Sequence, residues 1–369
     1  MLGDNKPCCF WKKYNKSCCS VFIIARIKLV YIGGYVNLEV LERGGVTVMS
    51  RKHAFIASVA LSTVFAFAFL FLTIEVPVRL NHLLRSYFPD LGFQQELIEE
   101  FIAQVRPLGY LCFIAVTVLA ILGLTLKSRL SQLGSIIFFL PTFGYFAYSM
   151  FFLAGLGILR VLWMPLWDFS PELLKLGDVV YVPAEILIYL FALLGLDIRA
   201  PLSFLIMMAG LLIFFMAVST WMFGKIRGKE IVDFWIYRFS RHPQYLGFLL
   251  WSYGLMLLAT FTPFPRGGYF PEPSFPWLIS ALIVFCCAWK EEIQMMEKHG
   301  IKYSKYREQT SFLLPLPKIF SHIAALPLKI VIKRDYPKSN RDIVYAFTIY
   351  LIIFMGLSSL TLKLNMPLR

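Results

Sequence analysis

Long runs of apolar residues recur along this chain, and they constrain its fold more than any other feature. A run of about 20 apolar residues can cross the hydrocarbon core of a bilayer as an α-helix. Each run ends at charged residues or at a helix breaker. The pattern predicts an all-α, polytopic membrane protein with about eight transmembrane helices, the seventh of them short. The predicted spans are residues 54–74, 108–126, 133–159, 179–196, 202–223, 245–261, 277–289 and 343–360.

The composition excludes a soluble globular protein. Hydrophobic residues make up 58% of the 369 residues and charged residues only 16%, which is more apolar surface than a soluble core can bury. The formal net charge is +14, but Lys and Arg cluster between the apolar runs, and no nucleic-acid module accompanies them. Such clusters set membrane topology and meet anionic lipid head groups. We therefore expect membrane lipids, and no nucleic acid, as partners.

The chain divides into four regions by composition. Residues 1–48 form an atypical leader, and we hypothesise that it is not part of the native chain, which would begin at Met49. The leader holds two adjacent cysteine pairs, but their spacing matches no usual metal site, so no metal is expected. Residues 49–222 form a transmembrane region without an assigned role, and residues 223–320 carry the polar motifs. Residues 321–369 combine a basic juxtamembrane segment with a terminal span.

Basic segments at residues 225–241, 298–307 and 318–341 mark the cytoplasmic side by the positive-inside rule. The Pro-rich loop 263–276 then faces the other side of the membrane. The sixth and seventh spans become a hairpin that returns two polar motifs to one cytoplasmic face. Between residues 160 and 200, successive spans do not alternate between the two sides of the membrane as these assignments require. One span there is therefore miscounted or re-entrant.

The first polar motif, SRHPQYLG, opens the sixth span. Pro243 suits the first turn of a helix, so the helix is expected to start at about His242. The backbone N–H groups of that turn, its positive dipole end and the side chains of Arg241 and His242 suit a carboxylate or a phosphate. Gly247 leaves room for a flat ligand or a neighbouring helix, and Tyr245 adds aromatic surface. Alternatively, the basic pair is an interfacial anchor and the glycine serves helix packing.

The second polar motif, KEEIQMMEKHGIKYSKYR, follows the seventh span. Carboxylates so close to lipid need a cationic partner or a ligand, which applies to Glu291 and Glu292. Their side chains diverge by about 100° on a helix, so we expect them to have different roles. Gly300 should end or bend this helix. Beyond it lies a second helical face, formed by Tyr303, Tyr306 and Arg307. The alternative is a solvated juxtamembrane helix.

Together, the patterns RHPxYxG and EExxMxxxxGxxYxxY resemble the isoprenylcysteine carboxyl methyltransferase and phospholipid N-methyltransferase superfamily of integral-membrane methyltransferases. The resemblance covers residues 223–319, about a quarter of the chain. It implies S-adenosylmethionine as the methyl donor, held by a C-terminal catalytic hairpin instead of a Rossmann domain. In agreement, the sequence contains no GxGxxG motif between a predicted strand and a helix, which is the pattern of a Rossmann domain.

The resemblance also implies roles for individual residues. The Arg-His-Pro end would take the methionyl carboxylate of the cofactor. The paired glutamates would bind the cofactor amine or ribose hydroxyls, or orient the acceptor. The candidate cofactor-binding residues are Arg241, His242, Tyr245, Gly247, Tyr303 and Tyr306. The candidate catalytic residues are Glu291, Glu292 and Arg307.

The methyl acceptor is open between a carboxylate and an amine. Methyl transfer from a sulfonium neutralises charge, so a dry pocket and fixed alignment do most of the catalytic work. A carboxylate acceptor needs no strong base, whereas an amine must lose a proton, for which Glu291, Glu292 or His242 is available. The resemblance implies a lipid-like or prenylated substrate as the partner.

Two other functions compete with a methyltransferase. A sterol-type reductase that uses NADPH carries a similar RHPNY element. Such reductases follow it with an acidic residue, where this chain has Gly247 and Phe248. A non-catalytic membrane scaffold is the other alternative, and it would tolerate substitution of the motif residues.

The motifs lead to a first prediction about single substitutions. Because Glu292 and His242 each lie at the end of a span, we expect Glu292→Ala or His242→Ala to abolish cofactor binding or turnover while detergent stability stays near normal. Ligand calorimetry and thermal melting of the purified variants measure the two effects. Equal loss of folding in both variants would favour a purely structural role.

Overall fold

The computed structural model describes residues 51–84, 164–261, 274–315 and 318–363, together with isolated positions between 103 and 118. Within these residues every regular element is a helix, apart from one isolated bridge between Ser240 and Ser311. Two 3₁₀ helices cover Pro171–Tyr181 and Trp235–Arg238. The α-helices, numbered in chain order, are α1 (Arg51–Leu84), α2 (Met164–Phe169), α3 (Val182–Ala192), α4 (Arg199–Ile226), α5 (Pro243–Phe261), α6 (Ser274–His299), α7 (Ile301–Gln309), α8 (Lys318–Ile332) and α9 (Asn340–Lys363).

Four of the described helices are long and apolar enough to cross a membrane. They are His53–Thr73 within α1, the whole of α4, the whole of α6 and Asn340–Thr361 within α9. The helical fold and the membrane-spanning type of helix agree with the sequence, but the predicted count of about eight spans is not confirmed. The predicted spans 108–126 and 133–159 lie wholly or largely outside the described residues, as does the leader 1–48.

The predicted span at residues 179–196 does not form one long helix. It starts inside the 3₁₀ helix, and α3 has only 11 residues, about 16 Å of helix, which is shorter than a hydrocarbon core. The 3₁₀ helix is tied to the start of α6. The buried Asp178 carboxylate accepts a hydrogen bond from Ser274 Oγ at 2.6 Å. A Cβ added at Gly177 would lie 2.4 Å from the backbone N of Phe275.

The seventh span, predicted as the short run 277–289, continues as the 26 residues of α6 through both glutamates. Apolar side chains of the 3₁₀ helix and of α9 pack against its first half. This cluster contains Leu174, Phe275 and Ile283, with Ile279, Phe347, Leu351 and Met355 around them. The packing fixes α6 between two neighbours and so fixes the position of its C-terminal end.

Small residues let α4 and α5 approach each other closely. A Cβ added at Gly210 would lie 2.3 Å from the backbone N of Trp251, and one added at Gly247 would lie 2.5 Å from that of Phe214. Close contact through small residues is typical of helices in membranes. The seam also buries a cluster shared with α1, formed by Ala66, Met207, Leu211, Trp251, Leu255 and Leu258. The start of α5, which carries the first motif, is therefore held on α4.

Gly300 separates α6 from α7, as the sequence predicts. Its φ of +48° lies in the left-handed region, which favours glycine. After this break, Tyr303 on α7 is buried with its hydroxyl beside Glu292 of α6. Past the end of α7, the backbone N of Arg241 donates to Ser311 O at 2.9 Å, so the tail of the second motif runs beside the first.

Gly247→Ala tests the contact between α4 and α5. The added methyl group would overlap backbone atoms of α4, which cannot rotate away. We therefore expect the free energy of unfolding to fall by about 1–3 kcal/mol. Gly356→Ala in α9 is the matched control, because nothing lies within 4 Å of the Cβ added there. Thermal melting in one detergent compares the two variants, and equal melting temperatures would contradict the close contact.

Candidate functional site

The two polar motifs meet at one end of α5 and α6. Pro243 is the first residue of α5, and the backbone N of Leu246 donates to His242 O at 3.0 Å, so the helix starts where the sequence predicts. The glutamate pair lies in the C-terminal third of α6. The side chains of Arg241 and His242 both reach Glu292 across the gap between the two helices. The result is a compact polar cluster at the end of two apolar helices.

Arg241 joins three segments of the chain. Its Nε donates to Glu292 Oε1 at 2.5 Å, and its Nη1 donates to the carbonyl oxygens of Arg307 at 2.9 Å and Thr310 at 2.5 Å. The side chain of Arg241 is only 9% exposed and that of Glu292 only 7%. A buried ion pair needs good geometry and further hydrogen bonds to offset its desolvation, and the two carbonyls supply them. Arg241 therefore clamps the start of α5, the glutamate region of α6 and the end of α7.

His242 lies between the two carboxylates. Its Nε2 is 3.4 Å from Glu292 Oε1, and its Nδ1 is 3.7 Å from Glu291 Oε2. Its backbone N donates to Ser240 Oγ at 3.2 Å. Its ring stacks on that of Tyr245, with the centroids 5.6 Å apart. Because a carboxylate lies near each ring nitrogen, the orientation of the imidazole is fixed from both sides.

The two glutamates differ in exposure. The side chain of Glu292 is 7% exposed, and its Oε1 faces Arg241, His242 and the hydroxyl of Tyr303. The side chain of Glu291 is 35% exposed. This is the divergence that helical spacing predicts for adjacent residues. One carboxylate is enclosed by the protein, and the other faces outward beside the imidazole.

Two tyrosines of α7 make different contacts. The hydroxyl of Tyr303 lies 3.5 Å from Glu292 Oε1, and the hydroxyl of Tyr306 donates to Tyr237 O at 2.7 Å. Burial raises the pKa of both phenols above the usual range, and the charge of Glu292 raises that of Tyr303 further. Both phenols therefore stay protonated at neutral pH and act as donors. Tyr303 belongs to the cluster, whereas Tyr306 attaches α7 to the segment that precedes Ser240.

Besides Tyr306, two more of the predicted site residues make their main contacts elsewhere. Gly247 packs against the backbone of α4 near Phe214. The guanidinium carbon of Arg307 lies 3.9 Å from the ring centroid of Tyr336, in a cation–π contact, and Arg307 contributes its carbonyl oxygen to Arg241. The residues that the structure does bring together are Arg241, His242, Tyr245, Glu291, Glu292 and Tyr303. Ligand-binding roles for all the candidates remain predictions.

The sequence reasoning missed the aromatic side of the cluster. The Phe312 ring lies 5.1 Å from that of His242 and 5.6 Å from the guanidinium carbon of Arg241. Phe312 stacks on Trp289 at 5.9 Å, and Trp289 stacks on Tyr350 at 6.2 Å. We call these three residues the aromatic row. Trp289 directly precedes the second motif and Phe312 follows it by five residues, so both could have been found. The part played by Tyr350 depends on how α9 packs.

The cluster combines a recessed ion pair with an outward-facing carboxylate, an imidazole and aromatic faces. A carboxylate and aromatic faces attract an ammonium or sulfonium cation, and the N-terminal turn of α5 suits an anion. Among the described residues, no group of three or more His, Cys, Asp and Glu side chains is arranged to hold a metal ion. The groups present could hold an organic ligand that carries charges of both signs.

No family model, curated protein or solved structure matches this chain. The methyltransferase resemblance therefore rests on the two motifs alone. Residues 223–319, which carry it, include α5, α6 and α7, and the polar cluster lies within them.

The burial of the Arg241–Glu292 pair changes the expectation for Glu292→Ala. Removing the carboxylate leaves a buried guanidinium without its counter-charge, which costs about 3–5 kcal/mol. We therefore expect a lower melting temperature as well as lost ligand binding. Glu297→Ala, at an exposed position of the same helix, should melt like the wild type. Melting curves in one detergent compare the variants, and equal stability of the two would show that the pair does not hold the helices together.

Proposed function

We propose that the protein is an integral-membrane, multi-pass methyltransferase that uses S-adenosylmethionine, with its catalytic face toward the cytoplasm. Its acceptor is lipid-like or of the prenylcysteine type. The observation that carries the proposal is the position of His242 between an enclosed and an outward-facing carboxylate, at the end of two apolar helices. This arrangement places charged side chains beside apolar ones. A charged cofactor requires the former, and an apolar acceptor requires the latter.

The chain offers groups for both ends of the cofactor's amino acid moiety. Glu291, with its partly exposed carboxylate, is the candidate for the ammonium group. Arg241 already donates to Glu292 and to two backbone carbonyls. The N–H groups in the first turn of α5 are therefore the better candidates for the carboxylate. This changes the proposed role of Arg241 from a ligand contact to a positioning residue.

Aromatic rings supply a surface for the sulfonium. Phe312 and Tyr245 flank the His242 ring at centroid distances of 5.1 and 5.6 Å. Cations are attracted to aromatic faces, and rings also exclude water from the reacting atoms. We therefore assign these two rings to the sulfonium side of the ligand.

The reaction needs little acid–base chemistry. S-adenosylmethionine supplies a methyl group to which an acceptor lone pair bonds, while the electron pair of the broken carbon–sulfur bond returns to sulfur. A carboxylate acceptor becomes an ester without losing a proton. An amine acceptor becomes a cation that must release one. Because Glu291 is assigned to the cofactor ammonium, His242, with its Nδ1 3.7 Å from Glu291 Oε2, is the candidate base. Alignment and exclusion of water are therefore the main tasks of these residues.

The aromatic row supports an apolar acceptor. It leads from His242 to Tyr350, whose hydroxyl donates to Ala324 O of α8 at 2.5 Å. Helices α8 and α9 expose large apolar side chains, among them Ile323 of α8 at 57% and Ile352 of α9 at 63%. A row of half-buried rings between the polar cluster and such a surface suits an apolar chain whose reactive end lies at His242.

Calorimetric titration of S-adenosylhomocysteine into the detergent-purified protein tests the proposal, with NADPH as a parallel titrant. We expect saturable binding of S-adenosylhomocysteine only. Glu291→Gln should weaken it about tenfold or more, because a hydrogen bond to a charged group is lost. Glu297→Gln makes the same change at an exposed position of α6 and should bind like the wild type.

Each other outcome assigns the protein to another class. Binding of NADPH alone would replace the methyltransferase with a membrane reductase, and binding of neither compound would support a non-catalytic scaffold. If S-adenosylhomocysteine binds, transfer of a labelled methyl group to candidate acceptors separates the two chemistries. Base releases the label from a methyl ester as methanol, whereas an N-methyl group keeps it.

A further inference from the structure

A tight turn at the end of α4 folds the chain back over its last residues. Gly228 has a φ of +70°, in the left-handed region that ends many helices. Its N donates to Lys225 O at 3.0 Å, and the N of Lys229 donates to Gly224 O at 2.9 Å. These two bonds form the Schellman arrangement, which satisfies the last carbonyl groups of the helix. The turn therefore places Glu230 directly beside Lys225.

Two lysines and a histidine converge on this turn from two helices and the start of a third. Lys225 Nζ donates to Glu230 O at 3.2 Å. From the other side, Lys302 Nζ lies 3.5 Å from Glu230 Oε2, and His299 Nδ1 lies 3.9 Å from the same oxygen. The His299 side chain is only 7% exposed, whereas those of Glu230 and Lys302 are 64% and 77% exposed. The imidazole thus forms the floor of a cationic site that is open to solvent.

Positive charge exceeds negative charge at this position. The charged groups that act on His299 are three ammonium groups and one carboxylate, those of Lys225, Lys298, Lys302 and Glu230. A single exposed carboxylate cannot balance three lysines. An anion that approached Glu230 from solvent would meet a net positive potential.

The site also lies at the ends of two helices that could cross a membrane. Lys225 and His299 lie in the last turns of α4 and α6, which are both long and apolar enough to cross a membrane. Large apolar side chains flank the lysines and are exposed, Ile226 by 75% and Ile301 by 78%. Cationic groups beside exposed apolar side chains at the end of a span match a boundary where phosphate lies next to acyl chains.

We propose that Lys225, Lys302 and His299 form a binding site for the phosphate of an anionic phospholipid head group, with Glu230 limiting its affinity. The proposal goes beyond the methyltransferase function and does not depend on it. The lipid phosphate would bridge the C-terminal ends of α4 and α6. Helix α4 packs against α5, at whose start Arg241 and His242 lie, and α6 carries Glu292. Bound lipid would therefore support the geometry of the polar cluster from the membrane side.

Titration of the detergent-purified protein with dioctanoyl phosphatidylglycerol tests this site, with dioctanoyl phosphatidylcholine as the zwitterionic reference. We expect the anionic lipid to bind more tightly. Lys225→Gln or Lys302→Gln should weaken it about fivefold each, the effect of one lysine near an anionic surface. Glu230→Gln should strengthen binding by a similar factor, because it removes the opposing charge. Lys175→Gln, at a 3₁₀ helix packed against the other end of α6, should change nothing.

The opposite signs separate binding from folding, because a merely destabilised protein would lose affinity in every variant. Equal affinity for the two lipids would overturn the proposal, as would weaker binding by Glu230→Gln. Full displacement of the anionic lipid by inorganic phosphate at constant ionic strength would assign the site to a soluble anion instead. S-adenosylhomocysteine binding by Lys302→Gln should equal that of the wild type, which keeps this test separate from that of the methyltransferase.

Discussion

The ion pair between Arg241 and Glu292 is the interaction on which the candidate site depends. Both side chains are almost fully buried at the end of apolar helices, where an unmatched charge is costly. The guanidinium also donates to the carbonyl oxygens of Arg307 and Thr310. Three separate segments are therefore held at one point. His242, next in the chain to Arg241, is thereby brought between the two glutamates.

Because of this clamp, the two neighbouring glutamates have different contacts. Glu292 is used to balance Arg241, so Glu291 is the carboxylate that can meet a ligand. His242 contacts both of them and also borders Phe312 and Tyr245. A charged group and an apolar group can therefore be held side by side. The cationic site at the end of α4 lies on the same side of the helices and adds a means of fixing them to the lipid surface.

Local features of the fold were predictable because each depends on a few neighbouring residues. Pro243 sets the start of α5 through its missing N–H, and Gly300 breaks the helix after α6 through its left-handed φ. The different exposure of the two glutamates follows from the step of about 100° between adjacent residues of an α-helix. The predicted span at residues 179–196 is not one long helix. Its first residues belong to a 3₁₀ helix that Asp178 and Gly177 hold against the start of α6. Apolar run length carries no information on such contacts.

The sequence by itself determined that the protein is helical, that its long apolar helices suit a membrane, and where the two polar motifs begin. These properties follow from hydropathy, from turn chemistry and from helical period, which are all local. Only the tertiary structure decided that Arg241 binds Glu292 instead of remaining available to a ligand, that Gly247 packs on α4, and that the aromatic row leads to α9. Those facts depend on which distant segments lie side by side, and many packings of the same helices satisfy the same local rules.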